Sequence, residues 1–217
     1  MLKDGVSNKT DLYGGDILKI ASVFAEIVEN ENNCNIGQKY ESIVDNLYFV
    51  INTLLDNSAG WMEINLLNIK IQVSSRILIN IDKLGFKLLD SISLKCCQSY
   101  GKSFILQNLE VEVKNIPSNE ISEECYNFPN GSICIPESGL KNEGNKCIPT
   151  VATYLNLKNN EMGLFPEHMS HEKFNSPVIV SLSIKNGREI ILNGNNEPIV
   201  VTFKHPKVKV TIKYKCI

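Results

Sequence analysis

The spacing of the apolar residues changes once along the chain, and this change constrains the fold more than any other feature. In the first half, apolar residues recur every three or four positions, which is typical of amphipathic helices. From about Ser103 they alternate with polar residues, which is typical of half-buried strands. Because the strands follow the helices and no βαβ alternation occurs, the sequence predicts an α+β chain, either as one unit or as two subdomains joined near residues 95–102.

Three helices are predicted in the first half, and their apolar stripes indicate an antiparallel helical layer. The first follows Asp16, which we expect to cap it, and extends to Val28. The second carries its stripe from Tyr40 to Leu55, and the segment 57–60 is predicted to end it. The third is long and spans Leu66–Leu88.

Strands are predicted in the second half from alternation and from turn signals. The clearest are Leu109–Lys114, Val178–Lys185, Pro198–Phe203 and Val208–Lys215. The last of these places valine, isoleucine and tyrosine on one face and lysines on the other, which indicates a half-buried antiparallel strand. The lysines could bind an anion, but on an outer strand they more often discourage edge pairing.

Charge and hydropathy exclude several classes of protein. The 217 residues include 22 basic and 24 acidic side chains, with a formal net charge of −2, and this balance argues against a nucleic-acid binder. No apolar run approaches the ~18–20 residues of a membrane span. The first residues lack the apolar segment of a signal peptide. Because the seven cysteines favour disulfides although no signal peptide is found, we expect an internal piece of a longer secreted or membrane-anchored chain.

Seven cysteines favour an oxidising compartment. Cys125, Cys134 and Cys147 lie in a loop-like stretch rich in Asn, Pro, Gly and Ser, where we expect at least one local disulfide to stabilise the segment. The pairing stays open, because six cysteines allow about 15 connectivities. No C-x-x-C pair occurs, so the sequence does not support a zinc site.

Residues that could carry catalysis are scarce. His168 and His171 form an H-x-x-H pair, but the flanking residues indicate a solvated loop rather than a metal-binding helix. Glu120, Glu123 and Glu124 lack the alternation of a calcium loop and are interpreted as a solvated turn. No nucleophile elbow or phosphate loop occurs. We expect no enzyme, no cofactor and no metal.

Several segments occur in a distinctive order: Gly14–Leu18, Asn46–Asp56 with Trp61, Ile133–Leu140, Val151–Leu157 with Leu164–Pro166, Pro177–Ile184 and Glu197–His205. In this order, over about residues 13–217, they resemble the GAIN domain. This is the extracellular autoproteolysis-associated domain of adhesion G-protein-coupled receptors (latrophilin-like), also found in polycystin-1-like proteins. The resemblance implies a helical subdomain A over residues 11–95. It further implies a twisted β-sandwich subdomain B over residues 96–217, which lacks its C-terminal proteolysis-site strands.

The resemblance also implies a function. The domain would be the extracellular scaffold of a receptor at the plasma membrane, would hold the C-terminal tethered-agonist strand of the parent chain, and would couple an unknown extracellular protein ligand or mechanical input to signalling. The alternative is a secreted or surface interaction or spacer module without a signalling role. Cys216 would be the first cysteine of the proteolysis site, with its partner downstream. The autoproteolytic His-Leu-Thr/Ser triplet is absent from this sequence.

Two N-glycosylation sequons are present, at Asn8 and at Asn130. Asn130 is the stronger candidate, because Pro129 and Gly131 predict an exposed turn around it. The odd number of cysteines leaves at least one without an intrachain partner, and the resemblance points to Cys216. Under oxidising conditions we expect disulfide-linked dimers through this residue.

Overall fold

The computed structural model describes residues 12–30, 37–93, 99–117, 119–120, 122–140, 147–157, 178–185, 199–204 and 209–214. The helices are α1 (Gly14–Asn30), α2 (Gly37–Asp56), α3 (Ser58–Glu63), α4 (Leu67–Ser93) and α5 (Glu137–Leu140). The strands are β1 (Tyr100–Ile105), β2 (Leu109–Pro117), β3 (Glu124–Phe128), β4 (Gly131–Ile135), β5 (Cys147–Asn156), β6 (Val178–Ile184), β7 (Ile199–Lys204) and β8 (Lys209–Tyr214). The predicted α+β class, with helices followed by a β-sandwich, is confirmed.

The long helices bury most of the stripes that the sequence predicts, but Leu66 precedes α4 and is 59% exposed, and the helix ends differ from the prediction. Helix α1 begins at Gly14, so Asp16 lies inside its first turn and is not the cap. Its carboxylate instead accepts a hydrogen bond from the backbone N–H of Tyr13, at 3.2 Å. The N–H of Gly14 donates to Glu63 of α3 at 2.8 Å, so a distant side chain satisfies this helix end.

A short helix replaces the predicted break after the second long helix. Helix α2 ends at Asp56, and Asn57 caps α3 by accepting from the N–H of Gly60 at 2.8 Å. A Cβ at Gly60 would lie 2.4 Å from the carbonyl oxygen of Leu12, so only glycine fits this close approach. Trp61 is buried beside it, and its Nε1 donates to the carbonyl of Leu54 at 2.8 Å.

The first sheet has the strand order β1-β2-β5-β6, with every neighbour antiparallel. One face is covered by the helices. Apolar side chains of β2 and β5 share a core with α1, α2 and α4, including Leu109, Val111, Val113, Val151 and Leu155. The helical layer and the first sheet therefore form one packed unit. The predicted boundary at 95/96 lies outside the described residues.

The second sheet has the order β3-β4-β7-β8 and packs on the other face of the first sheet. The sequence predicted a loop-like stretch around Cys125 and Cys134, and this prediction is wrong for residues 124–135. The two cysteines lie opposite one another in the β3–β4 hairpin. Tyr126, Phe128 and Ile133 point into the inter-sheet core, while the polar residues between them face outwards.

The close approach of α4 to the first sheet requires a glycine. A Cβ at Gly85 would lie 2.8 and 2.9 Å from the γ carbons of Val151 and 3.0 Å from Val113. Both valines are completely buried and are stiff at χ1, so they have little room to move.

We therefore expect overpacking in Gly85→Ala to lower the free energy of unfolding by about 1–3 kcal/mol. The higher helix propensity of alanine offsets about 1 kcal/mol of this loss. The matched control is Gly15→Ala, because a Cβ there has no neighbour within 4 Å. Urea denaturation of both variants measures the difference. Equal effects on the two glycines would contradict the close packing of α4.

Candidate functional site

The candidate site consists of two rows of partly buried apolar side chains on one side of the β-sandwich, one row from each sheet, and we call it the slot. We define the slot by the inward row of β6 (Val178, Val180, Leu182 and Ile184) and the inward row of β7 (Ile199, Val201 and Phe203). All seven side chains are only partly buried, although six of them pack against the inter-sheet core. A Cβ added at Gly131 of β4 would lie 3.7 Å from Val180 and 3.8 Å from Phe203, so β4 lies at the bottom of the slot.

The offset between the two sheets produces this slot. Strand β3 lies against β2 and β5, and β4 contacts β6. The first sheet ends at β6, whose outer edge has no partner among the described strands. The second sheet continues from β4, which contacts β6, to β7 and then to β8, on the side of β4 away from β3. A strand added along β6 would therefore lie over the inward face of β7 and cover apolar side chains that are now partly exposed.

The opposite side of the sandwich is closed by polar contacts. Lys114 of β2 forms ion pairs with Glu112 at 2.8 Å and with Glu124 of β3 at 2.5 Å. Burial opposes the charge of Lys114, but the two carboxylates outweigh burial and raise the pKa of its amine. The hydroxyl of Tyr126 bonds to Thr150 of β5, and burial raises the pKa of this tyrosine well above its ordinary value. These contacts join the two sheets.

Helix α4 holds β6 from behind the slot. Asp82 accepts hydrogen bonds from the hydroxyls of Thr153 on β5, at 3.2 Å, and of Ser183 on β6, at 2.5 Å. Asp90, two turns further along α4, accepts from Lys185 at 2.8 and 2.6 Å. Both carboxylates belong to the helical layer, and both reach the edge strand of the first sheet. Burial raises the pKa of Asp82 more than the two hydroxyl hydrogen bonds lower it.

The raised pKa of Asp82 predicts a pH dependence of stability. The folded chain holds the proton of Asp82 more tightly than the unfolded chain, so this contribution to stability is fully present below the unfolded pKa of about 3.9. It is lost as the pH rises through the folded pKa. We expect Asp82→Asn to remove this contribution. Urea titrations of both chains from pH 3 to pH 7 measure it, with Asp90→Asn as the control. A difference between wild type and Asp82→Asn that does not change with pH would contradict the assignment.

The predicted disulfide candidates have different outcomes. A disulfide joins Cys125 to Cys134, as the sequence predicts for this group, and it lies on the outward face of the hairpin. Cys147, at the start of β5, is also disulfide-bonded. Cys216 lies outside the described residues, so its role stays a prediction.

The glycosylation candidates also differ. Asn130 is exposed in the two-residue turn between β3 and β4, where its side-chain amide donates to the hydroxyl of Tyr154 at 2.9 Å. An exposed turn is accessible to the modifying enzyme, and glycosylation of Asn130 stays a prediction. Asn8 lies outside the described residues.

No metal site is assigned among the described residues. Among the described residues, a carboxylate oxygen of Glu123 and the sulfurs of Cys125 and Cys134 lie within 4.8 Å of one another, close enough to share a metal ion. Because the sulfurs are bonded to each other, they lack the thiolate charge that binds metals. Glu124, weighed as a calcium ligand with Glu120 and Glu123, is paired with Lys114. His168 and His171 lie outside the described residues.

Sequence reasoning did not identify the carboxylates of α4 as contacts of β5 and β6. The alternation of β6 does place Ser183 and Lys185 on its polar row, which signals a partner on that face. The partner itself is not visible in the sequence, because Asp82 and Ser183 are 101 positions apart. None of the described helices combines the length and the apolar character that a membrane-spanning helix requires.

No family model and no curated protein matches this chain. Among solved structures, the chain is similar to the full extracellular region of zebrafish Gpr126/Adgrg6, at 14% sequence identity and a TM-score of 0.44. The match covers 91% of this chain and 28% of that chain. The chain therefore spans less than a third of that region, and a likeness at this level does not establish a family.

Proposed function

We propose that the chain is the extracellular GAIN-type scaffold of an adhesion G-protein-coupled receptor, and that its slot holds the strand that follows in the parent protein. Two features support this proposal. The segments over residues 13–217 occur in the order of that domain. The described elements form a helical layer followed by a sandwich of two four-stranded antiparallel sheets.

The partly exposed slot is the observation that carries the proposal. An edge strand offers free backbone N–H and C=O groups, and a second strand can pair with them. The inward rows of β6 and β7 supply apolar contacts for alternate side chains of that strand. Strand β8 is the last described element and pairs with β7, and its final residue, Tyr214, lies opposite Ile199 of the slot.

The proposed mechanism follows from these two kinds of contact. A strand held by edge hydrogen bonds and apolar burial is released only when force or a bound ligand overcomes both together. In the parent receptor the released strand would act as the tethered agonist. The scaffold itself performs no chemistry in this proposal.

The downstream coding sequence tests the proposal. The expected result is a proteolysis site that contributes a partner for Cys216, followed by seven apolar spans. A stop codon or an unrelated domain after Ile217 would overturn the receptor assignment and support the alternative, a secreted or surface interaction or spacer module.

A further inference from the structure

We propose that Asp82 and Asp90 are positioning residues, by which the helical layer fixes β6 and, through β6, one wall of the slot. The assignment deepens the proposed function, because the slot is the site that would hold the following strand. The evidence for it is the set of contacts between α4 and the helix-facing side of β6, opposite the slot.

The two rows of β6 face different layers. The inward row lines the slot, and the other row faces the helices, where Ile179 packs against the core shared by the helical layer and the first sheet. Ser183 and Lys185, two positions further on and just past the end of β6, lie on the same helix-facing side and bind the two carboxylates of α4. Because both rows belong to one strand, a contact that holds the helix-facing row also fixes the position and orientation of the inward row.

Strand β6 depends on these contacts more than an inner strand would. It is hydrogen-bonded to a neighbour on one side only, β5, among the described strands. Asp82 spans both strands, since its two oxygens accept from Thr153 of β5 and Ser183 of β6. Asp90 adds a bidentate contact to Lys185 at the end of β6. The two points lie about 12 Å apart along the helix axis, at 1.5 Å per residue, so they restrain rotation of the strand as well as its position.

The chemistry of Asp82 fits a positioning role better than a stabilising one. Its partly buried carboxylate accepts from two neutral hydroxyls, and among the described residues no cation is hydrogen-bonded to it. Burial of a charge without a counter-ion costs stability, while hydrogen bonds to a charged acceptor are short and directional. The desolvation of the carboxylate therefore opposes folding, while its directional hydrogen bonds hold β5 and β6 in a defined geometry.

Amide hydrogen exchange on the 217-residue chain tests the assignment. In Asp82→Ala/Asp90→Ala we expect the amides of β6 to exchange about tenfold faster, with β1 and β2 unchanged. The control is Lys102→Ala, which removes the contact of Lys102 with Glu41 and Asp45 and so loosens the tie between α2 and β1 at the other edge of the same sheet. It should speed exchange in β1 and leave β6 unchanged. Asp82→Asn keeps an acceptor oxygen and should restore most of the protection lost in Asp82→Ala.

If the double variant does not fold, Ser183→Ala and Lys185→Ala remove the same contacts from the strand side, and we expect the same acceleration in β6. Unchanged exchange in β6, or equal acceleration in β1 and β6, overturns the assignment. The test needs no downstream strand. A chain that passes it but holds no following strand would overturn the proposed function and leave the positioning role intact.

Discussion

Replacing Trp61 with alanine is expected to lower the free energy of unfolding by about 3–5 kcal/mol, a large part of the 5–15 kcal/mol typical of a folded domain. Its side chain is only 1% exposed and packs in the core shared by the helices and the first sheet. The variant also leaves the carbonyl of Leu54 without its indole donor. Urea denaturation measures the loss.

The neighbouring residue provides a matched control. Met62 is 60% exposed, so Met62→Ala should change stability by no more than about 0.5 kcal/mol. Trp61→Phe keeps most of the buried area but loses the hydrogen bond. Its free energy of unfolding should therefore lie between those of Trp61→Ala and Met62→Ala. If Trp61→Ala lowered the free energy of unfolding no more than Met62→Ala, the burial of Trp61 in the helical core would be contradicted.

Replacing Cys125 and Cys134 together with serine is expected to cost about 2–4 kcal/mol. The bond closes a loop with a sequence separation of 9, and its loss gives the unfolded chain more conformations. The apolar row of the hairpin, which includes Tyr126, Phe128 and Ile133, points away from the sulfurs and stays intact. We therefore expect a less stable chain whose hairpin keeps its register.

The control for this variant is Asn127→Ala, because Asn127 is exposed on the same outward face of β3. Denaturation without reductant gives the comparison, since reductant would also break the disulfide of Cys147. A double serine variant as stable as Asn127→Ala would show that the bond constrains little in the unfolded chain.

The sequence predicted the elements that have one buried face. In α4, the spacing of Ile77, Ile81, Leu84 and Leu88 indicates a helix, and all four are buried. In β2, the alternation of valines with charged residues matches its alternating burial. Periodicity reports burial on one side, so it works where an element has one apolar neighbour.

Two parts of the fold could not be predicted in this way. The hairpin β3–β4 consists of five-residue strands joined by Pro129-Asn130, and its outward residues are polar enough to indicate a loop. Strand β5 lies between the helices and the second sheet, so both of its faces are buried and its alternation disappears. The contacts of α4 with β6 join distant segments, and no local pattern reports them.

The slot therefore depends on features that only the tertiary structure brings together. Among the described strands the outer edge of β6 has no partner, and the carboxylates of α4 contact that strand and the residue after it. Partial exposure of seven apolar side chains is unfavourable in water, at about 25 cal/mol for each Å² left uncovered. A following strand that covers these side chains would gain this free energy for each Å² of apolar surface that it buries.

The most direct test of the account is amide exchange in a chain extended through the segment that follows Ile217, compared with the 217-residue chain. We expect exchange to slow at least about tenfold in β6 and to slow in β7, while β1 and β2 stay unchanged. Unaltered exchange in β6 and β7, or new protection confined to β8, would contradict the claim that the slot holds the following strand.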